Sequence, residues 1–596
     1  MKKLLRLFLF WRVKHINNKN FTIILSGIVG ILAGLSAILL KETVHTVQHF
    51  LQGDHSELSD TPYYILFPII GIMITVFISR YIMKERVGHG ISDVLFNISQ
   101  KSAIMARGKM WSRMLLSAIT VGFGGSVGLE APIVVTGSAI GSNMATMMHL
   151  DYNRRSMLIG CGSAAAIAAI FNSPIAGVIF AIEVILSDIS VSAFIPLLIA
   201  SSAGALTSLA FGSNELLFSF KQIDEFHATD AFWFVGLGIF CAFVSLYFTR
   251  ISYIVEPKIK EIKNYLLRGL VGGLILAVII VIFPSIYGEG YETIKALLNG
   301  RGHEVFNFAG IFFERSETNV YLLVSMLAGI ILLKPVATSL TIGSGGCGGI
   351  FAPSLFLGGI SGFLFATVIN LIIGDRICSP INFALVGMAG VMSGVLHAPL
   401  MGIFLIAEIT GGYTLMVPLM LVSAISYFVI MAFEPHSIYT KKLIERGQIF
   451  QDDRDGQVLN SINMNKLIET DLLKVLPTAT IEDMIPLVKA SKRNIFPVVN
   501  EQGELKGIVT LDDIRELMFD DNKRTEIVVK TIMHKPHAEV YPDEHMRNVM
   551  TKFQRTGDWN LPVIDKENGN QYLGFVSKAR IFNAYRSNLQ RQQHKV

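Results

Sequence analysis

The sequence predicts a polytopic all-α membrane domain followed by a smaller α/β domain. Hydrophobic residues make up 51% of the 596 residues and charged residues only 16%, with a mean hydropathy of +0.51. That composition is typical of a polytopic membrane protein and unlike a soluble enzyme of this length. Glycine- and proline-containing motifs also recur in the same order in two halves of the apolar region. Finally, a glutamate, Glu130, stands inside that region where a helix is predicted to begin.

The composition changes abruptly near Pro435. Before it, apolar runs reach the length of membrane-spanning helices. After it, charges are frequent and apolar runs have the length of strands. We therefore expect membrane sequence up to about residue 433 and a soluble tail beyond it. The main apolar runs are Phe21–Leu40, Pro62–Ile82, Met114–Val121, Phe232–Phe248, Gly269–Phe283, Val320–Leu333 and Leu415–Phe433.

Residues 1–20 are predicted to form an amphipathic helix at the cytoplasmic surface of the membrane. Their apolar run is short, Arg6 interrupts it, and no small-residue cleavage site follows, so a signal peptide is not expected. The Lys and Arg residues of this segment place it in the cytoplasm by the positive-inside rule.

Several other classes of protein find no support in the sequence. Cys161, Cys241, Cys347 and Cys378 have no ligand spacing, and we expect them to be small apolar packing residues. Basic residues do not alternate with aromatic ones, so no nucleic-acid partner is predicted. There is no metal-ligand spacing and no catalytic motif, so neither a metal site nor an enzyme is predicted.

Three pairs of segments predict a duplicated membrane unit, with repeats at about 21–215 and 230–433. One chance match of Gly and Pro is common, but three matches in the same order are not. Gly88–Asp93 parallels Gly288–Thr293; Ala131-Pro132, with Gly137 and Gly141, parallels Ala352-Pro353, with Gly358 and Gly362; and Asn172–Gly177 parallels His397–Gly402, with Glu183 and Glu408 each nine residues after their proline.

Duplicated transporters place their binding site at the interface of the repeats, where broken helices point their N-termini at the ion. The run Gly343–Gly349 is too rich in glycine for an ordinary helix interior. We expect the loops before Pro132 and Pro353 to line a site, and the glycines inside helices to permit close helix packing.

Glu130 is the most informative residue of the chain. A carboxylate in membrane sequence costs roughly 2.5–3.5 kcal/mol on insertion scales unless water, an ion or a partner compensates it. Glu130 precedes Pro132, which suits a first helical turn. A helix start favours anions, so a glutamate there can occupy an anion site and be displaced by a mobile anion. This is the chemistry of a gate.

Four segments resemble the CLC family of chloride channels and proton-coupled chloride antiporters, over about residues 21–445. Gly88-His89-Gly90-Ile91-Ser92 resembles the family's GSGIP, and Gly128-Leu129-Glu130-Ala131-Pro132 resembles its GREGP or GKEGP. Gly349-Ile350-Phe351-Ala352-Pro353 is identical to its GIFAP, and Ser437-Ile438-Tyr439 is similar to the segment that carries its pore tyrosine.

The resemblance implies two inverted repeats with broken helices and a homodimer with an independent pore in each subunit. It implies that Glu130 is the external gating glutamate. The backbone amides of Ile350 and Phe351 and the hydroxyl of Tyr439 would contact chloride or a similar small anion. Chloride would be the bound ion, and no cofactor would be required.

His89 departs from the family, which usually has the central-site serine there. Histidine can carry charge near physiological pH and could bind the anion directly. Alternatively, it points away and caps or packs a shifted loop. Ser92 replaces the proline of the motif. A serine-based preference for chloride therefore does not follow from this sequence.

Val184 is the second departure. Many antiporters of the family have a glutamate there, next to the equivalent of Glu183, that passes protons. Valine cannot bind a proton, which favours a passive channel of the voltage-gated type; a proton-coupled anion antiporter is the alternative. Glu183 could substitute in a proton path, or it could be a structural carboxylate at a helix end, as its repeat mate Glu408 suggests. The family's range favours a bacterial inner membrane, with both termini cytoplasmic.

The tail contains a second duplication after a linker at 446–464. Two blocks, each of two short apolar strands around a polar turn, begin at Ile495 and Asn560. They resemble a pair of CBS domains, at 465–519 and 528–587, which in some proteins bind adenine nucleotides. Thr510 and Asp513 would hold the ribose and phosphate, or they cap a helix. The second copy has Ser577 and Arg580 at these positions.

Overall fold

The computed structural model describes residues 10, 12, 14–52, 64–85, 88, 90–186, 191–212, 226–299, 320–375, 377–445, 459, 462, 464–544, 546–566 and 569–593. It forms two compact units, residues 1–451 and 452–596. His89, most of the predicted N-terminal helix and most of the predicted linker lie outside the described residues.

The first half of the membrane unit contains eight described helices. Within it, α2 and α7 each end in a wider π-helical turn, at Ile78–Ile82 and Ala181–Ile185. The helices are α1 Asn18–Gln52, α2 Phe67–Phe77, α3 Gly90–Gln100, α4 Ser112–Gly122, α5 Glu130–Met147, α6 Tyr152–Phe171, α7 Pro174–Phe180 and α8 Val191–Phe211.

The second half contains nine more among the described residues. In the part of the chain that the structure describes, nine helices of both halves are long and apolar enough to cross a membrane. The helices of the second half are α9 Ala231–Lys260, α10 Tyr265–Ile282, α11 Tyr291–Leu298, α12 Val320–Ser344, α13 Phe351–Ile373, α14 Pro380–Leu396, α15 Pro399–Ile409, α16 Met416–Phe433 and α17 Lys441–Glu445.

Glycines bring the equivalent helix pairs of the two repeats into backbone contact. A Cβ atom at Gly137 of α5 would collide with the carbonyl of Gly162 in α6. At the equivalent position of the second repeat, a Cβ at Gly358 of α13 would collide with the carbonyl of Gly387 in α14. The prediction that these helical glycines serve close packing is confirmed.

The helix breaks also correspond between the repeats. The C-cap residues of α6 and α14, Asn172 and His397, both have left-handed conformations with φ of 54° and 57°. Each is followed by a helix that begins at a proline, Pro174 or Pro399. The glycine-rich segment starts slightly later than its composition indicates, because α12 continues through Gly343 to Ser344. The chain then runs irregularly to the start of α13.

The tail unit contains two copies of the same small motif. Strands β1 (Ile495–Val499) and β2 (Leu505–Thr510) pair antiparallel, as do β3 (Asn560–Asp565) and β4 (Gln571–Ser577). In both pairs the register of the strands shifts after the equivalent valine, Val498 in the first copy and Val563 in the second, as a duplication predicts. The helices of this unit are α18 Ile481–Ala490, α19 Leu511–Arg515, α20 Lys523–Glu526, α21 Val529–Ile532, α22 Met546–Thr556 and α23 Lys578–Gln593.

Candidate anion-transport site

The starts of α5 and α13 lie side by side because their preceding loops pair. Gly128 N donates to the carbonyl of Gly349 at 2.9 Å, and Gly349 N donates back to Gly128 at 2.8 Å. The first amide groups of a helix have no partner within the helix. The N-cap residues here are Leu129 and Ile350, and neither helix has a side-chain cap. The N-cap side chains therefore leave these helix starts available to an acceptor from elsewhere, and such sites suit an anion.

The Glu130 carboxylate occupies this place. Its residue is only 2% exposed. Its Oε2 accepts a hydrogen bond from the backbone N–H of Ala352, in the first turn of α13, at 3.4 Å. Its Oε1 accepts one from the hydroxyl of Tyr291 at 2.9 Å. The carboxylate of the first repeat thus rests on the helix start of the second.

The loop before α11 forms one wall of the site. Ser126 Oγ donates to the carbonyl of Ile286 at 2.8 Å, and Gly288 N donates to Gly124 at 3.2 Å. On the other side, the fully buried ammonium of Lys334 donates to the carbonyls of Ile286 and Gly288 at 3.2 and 3.0 Å. The loop is fixed on both sides, which holds Tyr291 in reach of the Glu130 carboxylate.

A second carboxylate stands in the same wall. Glu289 Oε1 accepts a hydrogen bond from the N–H of Leu129, the N-cap residue of α5, at 3.1 Å. Sequence reasoning named neither Glu289 nor Tyr291 as a site residue. The available signal was the internal repeat, because Gly288-Glu289-Gly290 aligns with the motif of His89.

Tyr439 is also buried in the membrane unit, at 1% exposure. No residue among those described gives its hydroxyl a hydrogen bond, which leaves the group able to donate to an anion. Its backbone carbonyl accepts a 2.8 Å hydrogen bond from Ser92 Oγ. The serine that replaces the motif's proline therefore ties α3 to the tyrosine segment, a contact that proline could not make.

Glu183 and Glu408 make reciprocal hydrogen bonds between the two repeats. The carboxylate of Glu183 accepts from the N–H groups of Leu400 and Met401 at 3.1 and 2.8 Å, at the start of α15. The carboxylate of Glu408 accepts from Ile175 and Ala176 at 3.0 and 2.8 Å, at the start of α7. Each glutamate caps the other repeat's helix.

The remaining residues of interest lie as follows. Ile350 and Phe351 are buried at the start of α13. His89 lies outside the described residues. Arg155 donates to the carbonyls of Ser102 and Leu150 at 2.8 and 3.1 Å, so it fastens a loop.

All four cysteines are free and buried, as predicted. Among the described residues, no group of three His, Cys, Asp or Glu could hold a metal ion.

In the tail, Thr510 and Asp513 bond to each other. The N–H and hydroxyl of Thr510 both donate to Asp513 Oδ2 at 2.7 Å, which closes a capping box at the start of α19. His534 Nε2 lies 3.3 Å from the same oxygen. Burial raises the pKa of the Asp513 carboxyl, but the hydrogen bonds from Thr510 and His534 outweigh it and hold that pKa below its usual range. In the second copy, the Ser577 hydroxyl donates to Glu469 at 2.6 Å.

The family profile described as "Voltage gated chloride channel" matches residues 70–430, and the CBS domain matches residues 462–520 and 529–587. The first match covers more than half of the chain. The chain therefore belongs to the CLC family and carries a pair of CBS domains. The predicted fold class, a CLC-type membrane protein with an α/β CBS pair, is confirmed.

Relatives named as channels and as exchangers are similarly distant from this chain. A "Putative chloride channel protein ClcB-like" of Ralstonia nicotianae is 25% identical over 70% of this chain and 96% of its own length. An "H(+)/Cl(-) exchange transporter ClcA" of Vibrio campbellii is 26% identical over 70% of this chain and 88% of its own. Chloride channel protein CLC-e of Arabidopsis thaliana is 23% identical over 82% of this chain and 75% of its own length.

Solved structures share the fold. A slow cyanobacterial Cl⁻/H⁺ antiporter aligns with a TM-score of 0.62 at 20% identity, over 73% of this chain and 99% of that one. A eukaryotic CLC transporter aligns with a TM-score of 0.58 at 18% identity, over 94% of this chain and 97% of that one. The protein is thus an integral multi-pass membrane protein whose family performs CLC-type anion transport.

Proposed function

We propose that the membrane unit is a passive channel for chloride or a similar small anion, and that Glu130 is its gate. One observation carries this proposal: the buried Glu130 carboxylate lies on the Ala352 amide, where two helix starts meet whose own N-cap side chains make no hydrogen bond. A small anion and a carboxylate compete for the same donors. When Glu130 swings away, those donors become available to the permeating anion.

The passive mechanism rests on the lack of a proton acceptor at Val184. A proton-coupled exchanger needs a second protonatable group that links the gate to the other side of the membrane. Both oxygens of the neighbouring Glu183 already accept backbone hydrogen bonds, which supports a structural role for that carboxylate rather than a place in a proton path.

Liposomes containing the purified protein test this mechanism. An imposed chloride gradient should dissipate without moving protons against their own gradient. Uphill proton movement driven by chloride would contradict the channel and would establish the proton-coupled antiporter in its place. Protein-free liposomes, measured in parallel, give the leak of both ions.

We assign the remaining anion contacts to the amides of Ile350 and Phe351, the hydroxyl of Tyr439 and the side chain of His89. The buried Tyr439 hydroxyl, which has no hydrogen-bond partner in the described part of the chain, supports its part in this set. Replacement of His89 by serine should change the permeability ratios among chloride, nitrate and fluoride. Unchanged ratios would instead favour a histidine that packs away from the pore.

We further propose a homodimer with one pore in each subunit, held in a bacterial inner membrane with both termini cytoplasmic. Membership of the family supports the dimer, and the basic N-terminal residues support the orientation. Light scattering of the detergent-solubilised protein would give the mass of the assembly, and a monomer would contradict the dimer. Protease accessibility of a terminal tag in sealed inverted vesicles would report the orientation.

A further inference from the structure

Glu289 is the repeat mate of His89. The segment Gly288-Glu289-Gly290 aligns with Gly88-His89-Gly90 in the duplicated sequence. Inverted repeats place equivalent residues toward opposite sides of the membrane, around a shared site. If His89 belongs to the pore lining on one side, its mate is expected at the pore on the other.

The contacts of Glu289 agree with that position. Its Oε1 accepts the N–H of Leu129, at the start of α5. Glu130 makes the equivalent contact at the start of α13, where its Oε2 accepts the N–H of Ala352. The two helix starts are joined by the paired backbones of Gly128 and Gly349. Two tethered carboxylates thus occupy two neighbouring amides that would otherwise face an anion.

The charges that act on Glu289 come from three other helices: Glu130 of α5, Lys334 of α12 and Lys41 of α1. The Lys334 ammonium is already held by backbone carbonyls, including that of Gly288 at 3.0 Å and that of Glu289 itself at 3.5 Å. Lys334 therefore fixes the loop and carries a positive charge into the wall, while the Glu289 carboxylate is directed to the Leu129 amide.

We propose that Glu289 is a second gating carboxylate, which competes with the transported anion for the Leu129 amide as Glu130 competes for that of Ala352. This inference rests on the proposed function and deepens it. An anion that passes this part of the pore must displace both carboxylates. The negative charge of Glu289 also lowers the local concentration of anions until it is displaced or neutralised.

A positioning role for Glu289 is separable from a gating role. Glutamine keeps an oxygen that accepts from Leu129 N–H but removes the charge. If Glu289 only fastened the loop, Glu289→Gln would behave as the native protein. If its charge competes with the anion, the same variant binds anions more tightly. Glu289→Asp retains the charge, and Glu289→Ala gives a second variant without it.

Chloride binding to the purified full chain in detergent, measured by isothermal calorimetry, tests this directly. We expect the apparent Kd for chloride to fall by about three- to tenfold in Glu289→Gln and Glu289→Ala, an effect of removing a competing like charge. Glu289→Asp should stay near the native value. The matched control is Glu292→Gln, in the first turn of α11, where an exposed carboxylate pairs with Lys295 at 3.0 Å; it should not change the Kd.

A native Kd in Glu289→Gln, with Glu130→Gln tightened, would overturn the second gate while leaving the first in place. Absence of chloride binding in every form would also overturn it, because there would be no anion for Glu289 to displace. This experiment measures chloride binding and not transport. A liposome result that contradicts the passive channel would therefore leave the test of Glu289 unaffected.

Discussion

The Tyr291 hydroxyl donates a 2.9 Å hydrogen bond to Oε1 of Glu130. The tyrosine belongs to the second half of the membrane unit and the glutamate to the first, so the bond joins the two halves at the proposed gate. A hydrogen bond to a charged group stabilises by about 1.5–3 kcal/mol. Because the contact exists while the carboxylate is buried, it stabilises the buried position of Glu130, which is the closed position of the proposed gate.

We therefore expect Tyr291→Phe to open the gate more often. Loss of about 1.4 kcal/mol is a tenfold change in an equilibrium constant, so chloride flux into liposomes should rise by about an order of magnitude wherever gate opening limits it. The matched control is Tyr287→Phe, a nearby tyrosine whose buried hydroxyl has no hydrogen-bond partner among the described residues. Equal flux in the two variants would show that the Tyr291 hydroxyl does not hold the gate.

The reciprocal contacts of Glu183 and Glu408 predict matched losses of stability. Each carboxylate caps the helix start of the other repeat through two backbone N–H groups. Glu183→Ala and Glu408→Ala should each lower the free energy of unfolding by about 1–3 kcal/mol, since two backbone amides at a helix start lose a charged acceptor. Thermal unfolding in detergent measures this. A variant of Glu183 that keeps native stability but alters proton movement would instead identify a proton path.

Ser92 is expected to position the pore tyrosine through its hydrogen bond to the Tyr439 carbonyl. Ser92→Ala removes the donor and should reduce chloride flux by a few fold, with a shift in anion selectivity, because the bond contributes about 0.5–1.5 kcal/mol. Ser92→Thr keeps the hydroxyl and should restore both properties. If alanine and threonine behave alike, the hydroxyl does not act on the pore.

The capping box of the first CBS domain predicts a dependence of stability on acid. The Asp513 pKa is held below its usual range by Thr510 and His534, so its stabilisation is present above about pH 4, the usual aspartate pKa, and is lost as the pH falls below that value. Thr510→Ala and Asp513→Asn should each destabilise the tail unit by about 1 kcal/mol at pH 7. The deficit of Asp513→Asn should shrink in acid, and a deficit independent of pH would argue against this ionised cap.

Calorimetry of the full chain with ATP and AMP tests the nucleotide-binding interpretation of the same two residues. The cap accounts for the contacts of Thr510 and Asp513, so we expect no saturable heat at millimolar nucleotide. Saturable heat that disappears in Asp513→Asn would instead establish a nucleotide site at this position.

Much of the membrane unit could be predicted because its breaks are marked by glycine and proline. The paired prolines Pro174 and Pro399 each begin a helix, and the helical glycines at 137 and 358 allow backbone contact, as their spacing indicates. The place of Glu130 at a helix start also follows from the sequence. These features are local, since proline and glycine impose backbone conformation on their own neighbourhood.

The partners of the gate could not be predicted in the same way. Tyr291 lies far from Glu130 in sequence, and its apolar ring gives no sign that its hydroxyl meets a carboxylate. Lys334 directly follows the apolar run Val320–Leu333, where a charge usually marks a helix end, yet it is fully buried against the carbonyls of Ile286 and Gly288. Such contacts depend on how distant loops meet, which local propensity does not encode. Glu289 is an exception, because its alignment with His89 in the internal repeat marks it as a candidate in the sequence itself.

Replacement of Glu130 by glutamine tests the central claim most directly, because glutamine mimics a permanently protonated gate. Chloride flux into liposomes is measured for the native protein and for Glu130→Gln across a range of pH. We expect the variant to conduct at least as fast as the native protein and to lose the pH dependence of opening. A variant whose flux and pH dependence match those of the native protein would remove Glu130 from the mechanism.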